Sequence, residues 1–426
     1  MTFPLVPLRR IASMNSRVLS EDTDPNFAFR YVDISQVDGN GVVALPGELT
    51  SFADAPSRAR RLGSAGDVAV STVRTYLRAI ASIPASMDPI VFSTGFAIIE
   101  AGPDVDPRFL VYACREDRFV SQVETRSTGI SYPAINPSEL ASISIRLPPL
   151  EEQRRIADFL DDQVTRIDKA IAARRNQIVV LDASVVTVAQ RNVTGADLGQ
   201  EAAESGIPWA PLLPTTWGTP RVCQVAQMGT GHTPSRAAAD YWIECDIPWL
   251  TTADVHRFRH DQIDELTETE WRLSQLGLNN SAAVLHPKGT VALSRTASAG
   301  FSVVMGADMA TSQDFVTWTC GPHLDNVFLL WCLRAMRSDL LGRLAMGSTH
   351  KTIYFPDLMS IRIPLPDLPL QMQIVRETTS FAMSCRKAMA AIRESIEVLS
   401  EYKKALITQA VTGELDVTSA RRGVPA

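Results

Sequence analysis

Two short polar stretches carry the side chains best suited to hold an anion and read a polar edge: Arg126-Ser127-Thr128-Gly129 and Gly347-Ser348-Thr349-His350-Lys351. Each offers hydroxyls, small residues that permit close backbone approach, and one strong cation. Such a set could position a phosphate and place donors at a base edge, two separate tasks in nucleic-acid recognition. Arg126 and Lys351 are the first candidates, with Ser127, Thr128, Ser348, Thr349 and His350 beside them. Arg74 and Arg295 follow, each just past one of two matching predicted strands. Arg58, Arg60 and Arg61 form a basic cluster, as do His256, Arg257, Arg259 and His260, and a solvated face explains either group as well. Trp242 and Trp249 read as core anchors. Lysine supplies only six of the 41 basic residues. Arginine forks suit guanine edges and phosphates, although codon bias in a GC-rich genome gives the same excess.

Residues for bond-making chemistry do not assemble. The Asn/Asp-Pro-Pro-Tyr/Phe motif that grips a flipped adenine is absent, and Pro148-Pro149 sits in Leu-Pro-Pro-Leu. Gly229-Thr-Gly231 reads as a turn rather than a cofactor loop. Gly342 and Gly347 have phosphate-loop spacing, but Ser348-Thr349 follow where Lys-Ser/Thr is needed. No carboxylate–lysine cluster of a nuclease stands out. The six histidines lack zinc-site spacing with the cysteines. Cys114, Cys223, Cys245, Cys320, Cys332 and Cys385 form no CxxC pair and read as reduced core residues. The expectation is a chain without a catalytic site, metal or cofactor of its own.

At 426 residues, with 45% hydrophobic and 21% charged side chains, the chain is long enough for two or three globular domains. Its net charge of −6 argues mildly against nucleic acid, although an acidic total can hide a local basic surface. Apolar runs such as Val327 to Leu333 are far too short to span a bilayer. The start of the chain lacks the pattern of a signal peptide, so a cytoplasmic location is expected.

Those residues are set in an internal duplication. Offset by 218 residues, Ile135 falls on Ile353, Leu140 on Leu358, Ile143 on Ile361, Gln153 on Gln371, Ile178 on Ile396 and Cys114 on Cys332. Val193-Thr-Gly195 meets Val411-Thr-Gly413. Upstream the match loosens, and Gly66 to Ser71 resembles Gly289 to Ser294. Each half therefore has a variable globular part and a better-matched tail. The tails predict helices over roughly 151–192 and 369–411, each after a strand (Ile143 to Pro149, Ile361 to Pro366) stopped by proline. Ile167, Ile171, Ile178, Leu181, Val185 and Val188 alternate in steps of four and three. Cys385, Met389, Ile392, Ile396, Leu399 and Leu406 form the matching seam, with Arg174 and Lys403 as interruptions. Heptad seams of this length suit two rods, each about 60 Å long, lying antiparallel as a coiled coil. The globular parts read as mixed and strand-rich, with strands near 29–34, 66–72, 92–100, 284–294 and 314–318, and helices near 109–114 and 327–336. The predicted class is α+β: globular domains over 1–150 and 196–368, helical regions over 151–195 and 369–413, and a tail over 414–426.

The junction Ile143-Ser-Ile-Arg-Leu-Pro-Pro-Leu-Glu-Glu-Gln-Arg-Arg-Ile-Ala157 and the helix end Gln190-Arg-Asn-Val-Thr-Gly195 closely resemble the conserved regions of type I restriction-modification specificity subunits. Met228-Gly-Thr-Gly-His-Thr-Pro-Ser235, Tyr241-Trp242, Asp246-Ile-Pro-Trp249 and Gly347 to Ile353 resemble that family's target recognition domains. The resemblance covers nearly the whole chain. It implies two target recognition domains, each reading half of a split DNA site, with the paired helices as a ruler. It also implies two modification subunits that methylate adenine at N6 from S-adenosylmethionine. Restriction subunits, where present, would add ATP- and magnesium-dependent translocation and cleavage. Half-sites one DNA turn apart, roughly 34 Å, suit a pseudo-twofold reader. Two departures stand out. The first half lacks the Leu213-Pro-x-x-Trp217 element of the second. Leu368-Pro-Leu-Gln-Met-Gln replaces the usual Leu-x-Glu-Gln, with Gln371 retained, which would weaken a partner contact there. The alternatives from other classes are a self-contained methyltransferase or nuclease, and a coiled-coil scaffold that reads no DNA.

Overall fold

The computed structural model describes residues 3–130, 132–345 and 351–417. The chain divides into two units, Met1–Arg174 with Glu394–Ala426, and Arg175–Arg393. Each unit holds one globular head and a part of both long helices. Those helices run over Leu150–Thr194 and Leu368–Thr412, 45 residues each, within two residues of the expected bounds. Gly195 and Gly413 follow them with positive φ, the left-handed stop that glycine adopts without a Cβ clash.

In the first unit, Ile167 and Ile171 are buried in one core with Leu406, Ile407, Ala410 and Val411, while Ile396 and Leu399 pack at its margin. In the second, Val185, Ala189 and Val193 share a core with Ile374, Ala382 and Cys385, and Leu181 lies against it. Met389 is buried, whereas Ile178, Val188 and Ile392 are half-buried. Asp168 bonds Lys403 in the first unit and Asn192 bonds Thr378 in the second. Lys403, an interruption in the sequence pattern, is 5% exposed and reaches the Asp168 carboxylate at 2.7 Å.

Both heads are built on the same strand order. In the first, an antiparallel sheet runs Ala12–Met14, Phe96–Ala101, Val68–Ser71, Ile80–Ser82. In the second, the order is Ala226–Thr230, Phe315–Cys320, Val291–Ser294, Ser302–Met305, with Glu265–Leu266 added at the edge in parallel. A second sheet stands beside each. It holds Thr50–Ser51, Ala28–Val32, Ile90–Ser93 and Ala59–Gly63 in one head, and Trp271–Leu273, Ile247–Leu250 and Ala310–Thr311 in the other. A parallel pair lies inside both (Ala28–Val32 with Ile90–Ser93, Ile247–Leu250 with Ala310–Thr311). Alternation along the central strand explains the layering. Val68 and Val70 face the core shared with the helix Pro107–Arg115, and Ala69 faces the second core. Val291 and Leu293 face the helix Asn326–Ala335, and Ala292 faces away.

Several expectations change. The single strand over 92–100 is two, Ile90–Ser93 and Phe96–Ala101, broken at Thr94-Gly95. The strand over 284–294 begins only at Val291, because Pro287-Lys-Gly289 turns the chain with Gly289 at φ +87°. The strand over 361–366 is reduced to the single bridges Arg221↔Arg362 and Gly218↔Leu365, whereas Ser144–Arg146 pairs with Leu5–Pro7 as a ladder. Gly229-Thr-Gly231 is not a turn. Ala226–Thr230 is a strand, and a Cβ on Gly231 would lie 1.8 Å from the Thr311 carbonyl oxygen. All six cysteines are free, but only Cys114, Cys332 and Cys385 are buried. Cys223 is exposed, so the sequence reading of six core thiols overreaches. Among the described residues no helix is long and apolar enough to cross a membrane.

Candidate nucleic-acid interface

A recognition surface can discriminate only if its heads are held firmly on their mounts. Each head is fixed to its long helix by one repeated side chain. Gln153 is 1% exposed and Gln371 0%. The Gln153 amide donates to the carbonyls of Asp104 and Pro148, and its oxygen accepts the Asp106 backbone N–H at 2.9 Å. Gln371 donates to the carbonyls of His323 and Pro366 and accepts from the Asp325 N–H, also at 2.9 Å. Asp106 and Asp325 in turn cap the head helices Pro107–Arg115 and Asn326–Ala335. The glutamine is an internal strut, so its retention in the divergent second junction follows from folding and not from a partner.

Charges complete the mounting. In the first unit Arg108 bridges Asp158 and Asp161, at 2.8 and 3.0 Å, and the Tyr112 hydroxyl donates to Asp161 at 2.8 Å. Burial, then that bond to Asp161, pushes the Tyr112 hydroxyl up, so it stays protonated. In the second unit Asp264 accepts from Arg334 and from both Nη atoms of Arg386 on the second long helix. Burial pushes the Asp264 carboxyl up, but the bonds and charges of Arg386 and Arg334 outweigh it and hold the carboxyl below its ordinary value of 3.8.

The sequence candidates divide on this frame. Arg126 ends the helix Asp117–Arg126, and its Nη1 donates to Ser142 Oγ at 2.8 Å. Ser127 Oγ bonds Thr75 Oγ1 and the Val123 carbonyl. Thr128 exchanges two backbone bonds with Ala134, both at 2.9 Å, closing the loop, and Gly129 sits at φ +109°. Lys351 is exposed, and its Nζ donates to the Leu341 carbonyl at 3.0 Å. The two first-choice cations thus brace their own loops. Ser348, Thr349 and His350 lie outside the described residues.

Arg74 and Arg295 differ from these. Both guanidiniums lie over an aromatic ring: Arg74 over Tyr132 at 5.1 Å, and Arg295 over Phe355 at 4.7 Å. Arg74 is exposed, takes the left-handed conformation at φ 52°, and donates its N–H to the Pro133 carbonyl at 2.8 Å. It lines an open cleft with Arg58, Ser93, Thr94 and Tyr132. Arg58 there bonds the Tyr31 hydroxyl at 3.0 Å, and that bond, ahead of the charge of Tyr31, raises the guanidinium's pKa. Arg60 lies over Phe52 and Arg61 is half-buried. In the second head Arg257 donates to the Glu268 carbonyl and Arg259 to Ser298, while His256 meets the Ala253 carbonyl and His260 is exposed. Trp249 is buried, and Trp242 lies half-buried beside it under Arg236. Tyr132, Thr94 and Phe355 were not among the sequence candidates. Their only signal was proximity to the repeated Ile135 and Ile353 or to a strand break. Among the described residues no cluster of His, Cys, Asp or Glu could hold a metal ion.

Two heads with one strand order, each strutted to a long helix by the same buried glutamine, are the product of a duplicated reading module. The chain belongs to the family of the type I restriction modification DNA specificity domain, whose model matches residues 61–179 and 214–398. It is 24% identical over 171 residues to the MjaIX specificity subunit of Methanocaldococcus jannaschii, covering 40% of this chain and 38% of that one. It is 22% identical over 322 residues to the HindI specificity subunit of Haemophilus influenzae, covering 62% and 69%. The chain thus spans well under half of the first relative. Among solved structures it is similar to a chain from work on complex assembly and conformational transition of the type I R-M system, with TM-score 0.75, 25% identity, and 97% and 98% of the two chains covered. It also resembles the HsdS subunit from Thermoanaerobacter tengcongensis, with TM-score 0.51, 25% identity and 97% of each chain covered.

Proposed function

We propose that this chain is the sequence-reading subunit of a type I restriction-modification complex, bound to a bipartite DNA site. One observation carries the reading: the duplicated head keeps its strand order and its glutamine strut while the rest of it diverges. A scaffold without DNA has little reason to diverge in its heads while its helices stay matched. Phosphate contacts would set each head on the duplex, and side chains at base edges would choose the sequence. Arg126, Ser127 and Thr128 on one head, and Lys351 on the other, would help face DNA together with Arg74 and Arg295, and Ser348, Thr349 and His350 are kept as candidates from sequence.

In this reading the chain performs no bond chemistry. Two modification subunits dock on the helices and heads and methylate adenine at N6 with S-adenosylmethionine. Restriction subunits, where the complex has them, bring ATP and magnesium for translocation and cleavage, all in the cytoplasm. Family membership and the similarity to a chain from a type I R-M assembly support these roles. The test is genome-wide mapping of N6-methyladenine in cells with and without the gene. A split motif that vanishes with the gene is expected. An unchanged methylation map overturns the function.

A further inference from the structure

We propose that Arg74 and Arg295 are the base-reading forks of the two heads, each directed at the major-groove edge of a guanine, and that they stand two residues apart in the common frame. The inference rests on the DNA-reading function above and adds its chemistry.

The frame comes from backbone bonds. Ser71 pairs with Phe96 and Ser294 with Phe315, so these two serines are equivalent. The next residue is Thr72 in one head and Arg295 in the other. Thr72 donates to the Gly95 carbonyl and accepts from Ile135 N at 2.9 Å; Arg295 donates to the Asp314 carbonyl and accepts from Ile353 N at 2.8 Å. Ile135 and Ile353 are themselves equivalent, 218 residues apart. Arg295 therefore occupies the place of Thr72, and Arg74 stands two residues beyond it. The rings differ to match. Tyr132 precedes Ile135 by three positions, whereas Phe355 follows Ile353 by two. Evolution has reached one device, a guanidinium laid on a ring at the same strand exit, from two registers.

The device has a physical purpose. A guanidinium held over a ring has fewer orientations to lose while its N–H edge stays open, and that edge matches N7 and O6 of guanine. Pre-ordering removes part of the entropy cost of binding. A phosphate accepts the same fork but is also held by the point charge of a lysine, whereas the paired acceptors of guanine need the fork. Arg74 is held further by its left-handed backbone, which costs free energy in a non-glycine residue and persists only where neighbours impose it. The bond from Arg295 Nε to the Gln313 carbonyl, 3.0 Å, does the same for the second fork and leaves its Nη edge for the ligand. Arg126 and Lys351 bond Ser142 and the Leu341 carbonyl, and among the described residues neither lies over an aromatic ring.

The experiment uses the full chain assembled with its modification subunits, and measures methylation of a DNA library randomised across both half-sites. Arg74→Ala should cut discrimination for guanine at one position of one half-site about 10- to 100-fold, with the other half-site unchanged. Arg295→Ala should do the same at a single position of the other half-site. Arg74→Lys and Arg295→Lys, which keep charge but lose the fork, should not restore it. Tyr132→Ala and Phe355→Ala should give smaller losses at the same positions. A uniform loss of affinity over all sequences, restored by lysine, would make these phosphate contacts and overturn the proposal. A wild-type motif untouched by both alanine variants overturns the forks alone. A wild-type complex with no sequence preference removes the DNA-reading function as well.

Discussion

The two heads share a strand order but settle their buried charge in opposite ways. Position 116 and its repeat partner 334 show it. Glu116 is buried and caps the helix Asp117–Arg126 through the Phe119 N–H. Burial pushes its carboxyl up, as it does for Asp67. Arg334, 2% exposed, joins Asp264 and Asp261, and Asp264 is shared with Arg386 of the long helix. The first head thus holds Glu116 through a backbone N–H and pairs Asp67 with the single Arg17, while the second is clamped by a network of several arginines and aspartates. A duplicated fold can keep its backbone frame and still rebuild its electrostatics, provided each buried charge finds partners.

The comparison can be broken in four ways. Arg334→Ala removes the buried guanidinium that joins Asp261 and Asp264, which keep Arg337 and Arg386, and should cost about 3 kcal/mol; Glu116→Ala removes one cap and should cost about 1 kcal/mol. Chemical denaturation with segment-resolved hydrogen exchange measures both, and equal losses would dissolve the contrast. Proline at Ile178 or at Ile396 breaks one long helix in either unit at about 3 kcal/mol and should abolish co-purification with the modification subunit. Normal assembly of both variants would remove the helices from that role. Gln153→Leu and Gln371→Leu should each cost about 1–3 kcal/mol by orphaning a backbone N–H and carbonyls. Here the heads should match, and a strut that matters in one head only would contradict the shared mounting.

The smallest effect is pH dependence. Asp264 is depressed on folding, so its contribution is present above its ordinary value of 3.8 and is lost as pH falls through the lower folded value. Glu116 and Asp67 are raised, so their contributions are present below their ordinary values, 4.5 and 3.8, and are lost as pH rises through the folded ones. Acidification should therefore loosen hydrogen exchange around 261–264 and 334–337 before 64–67 and 116–123. Asp264→Asn should erase that order, and an unchanged order in this variant would assign the acid response elsewhere.

Much of this was legible from periodicity. Seams running from Ile167 to Val185 and from Met389 to Leu406 mark helices because 3.5-residue spacing survives over many turns. Helix bounds came within two residues because Pro149 and Gly195 punctuate the backbone. The repeat of Gln153 at Gln371 was visible, but not its task, since two of its three partners lie 46 to 49 residues away. Short strands such as Ala310–Thr311 carry no pattern, and Pro287 hid the late start of Val291–Ser294. Among the site candidates, composition ranked Arg126 and Lys351 ahead of Arg74 and Arg295. Which cation is anchored and which is stacked depends on rings and carbonyls far away in sequence.

One feature of the division into units bears on biosynthesis. The second unit is a single unbroken stretch, Arg175–Arg393, whereas the first is completed only by residues from Glu394 onward. Ile167 and Ile171 await Leu406, Ile407 and Ala410 to cover them. On the ribosome the head made first must be the unit finished last, its apolar helix face uncovered while more than two hundred further residues emerge. A released chain ending just before Glu394 should shelter Arg175–Arg393 from protease but surrender the Ile167–Ile171 turn, the face a chaperone would have to guard.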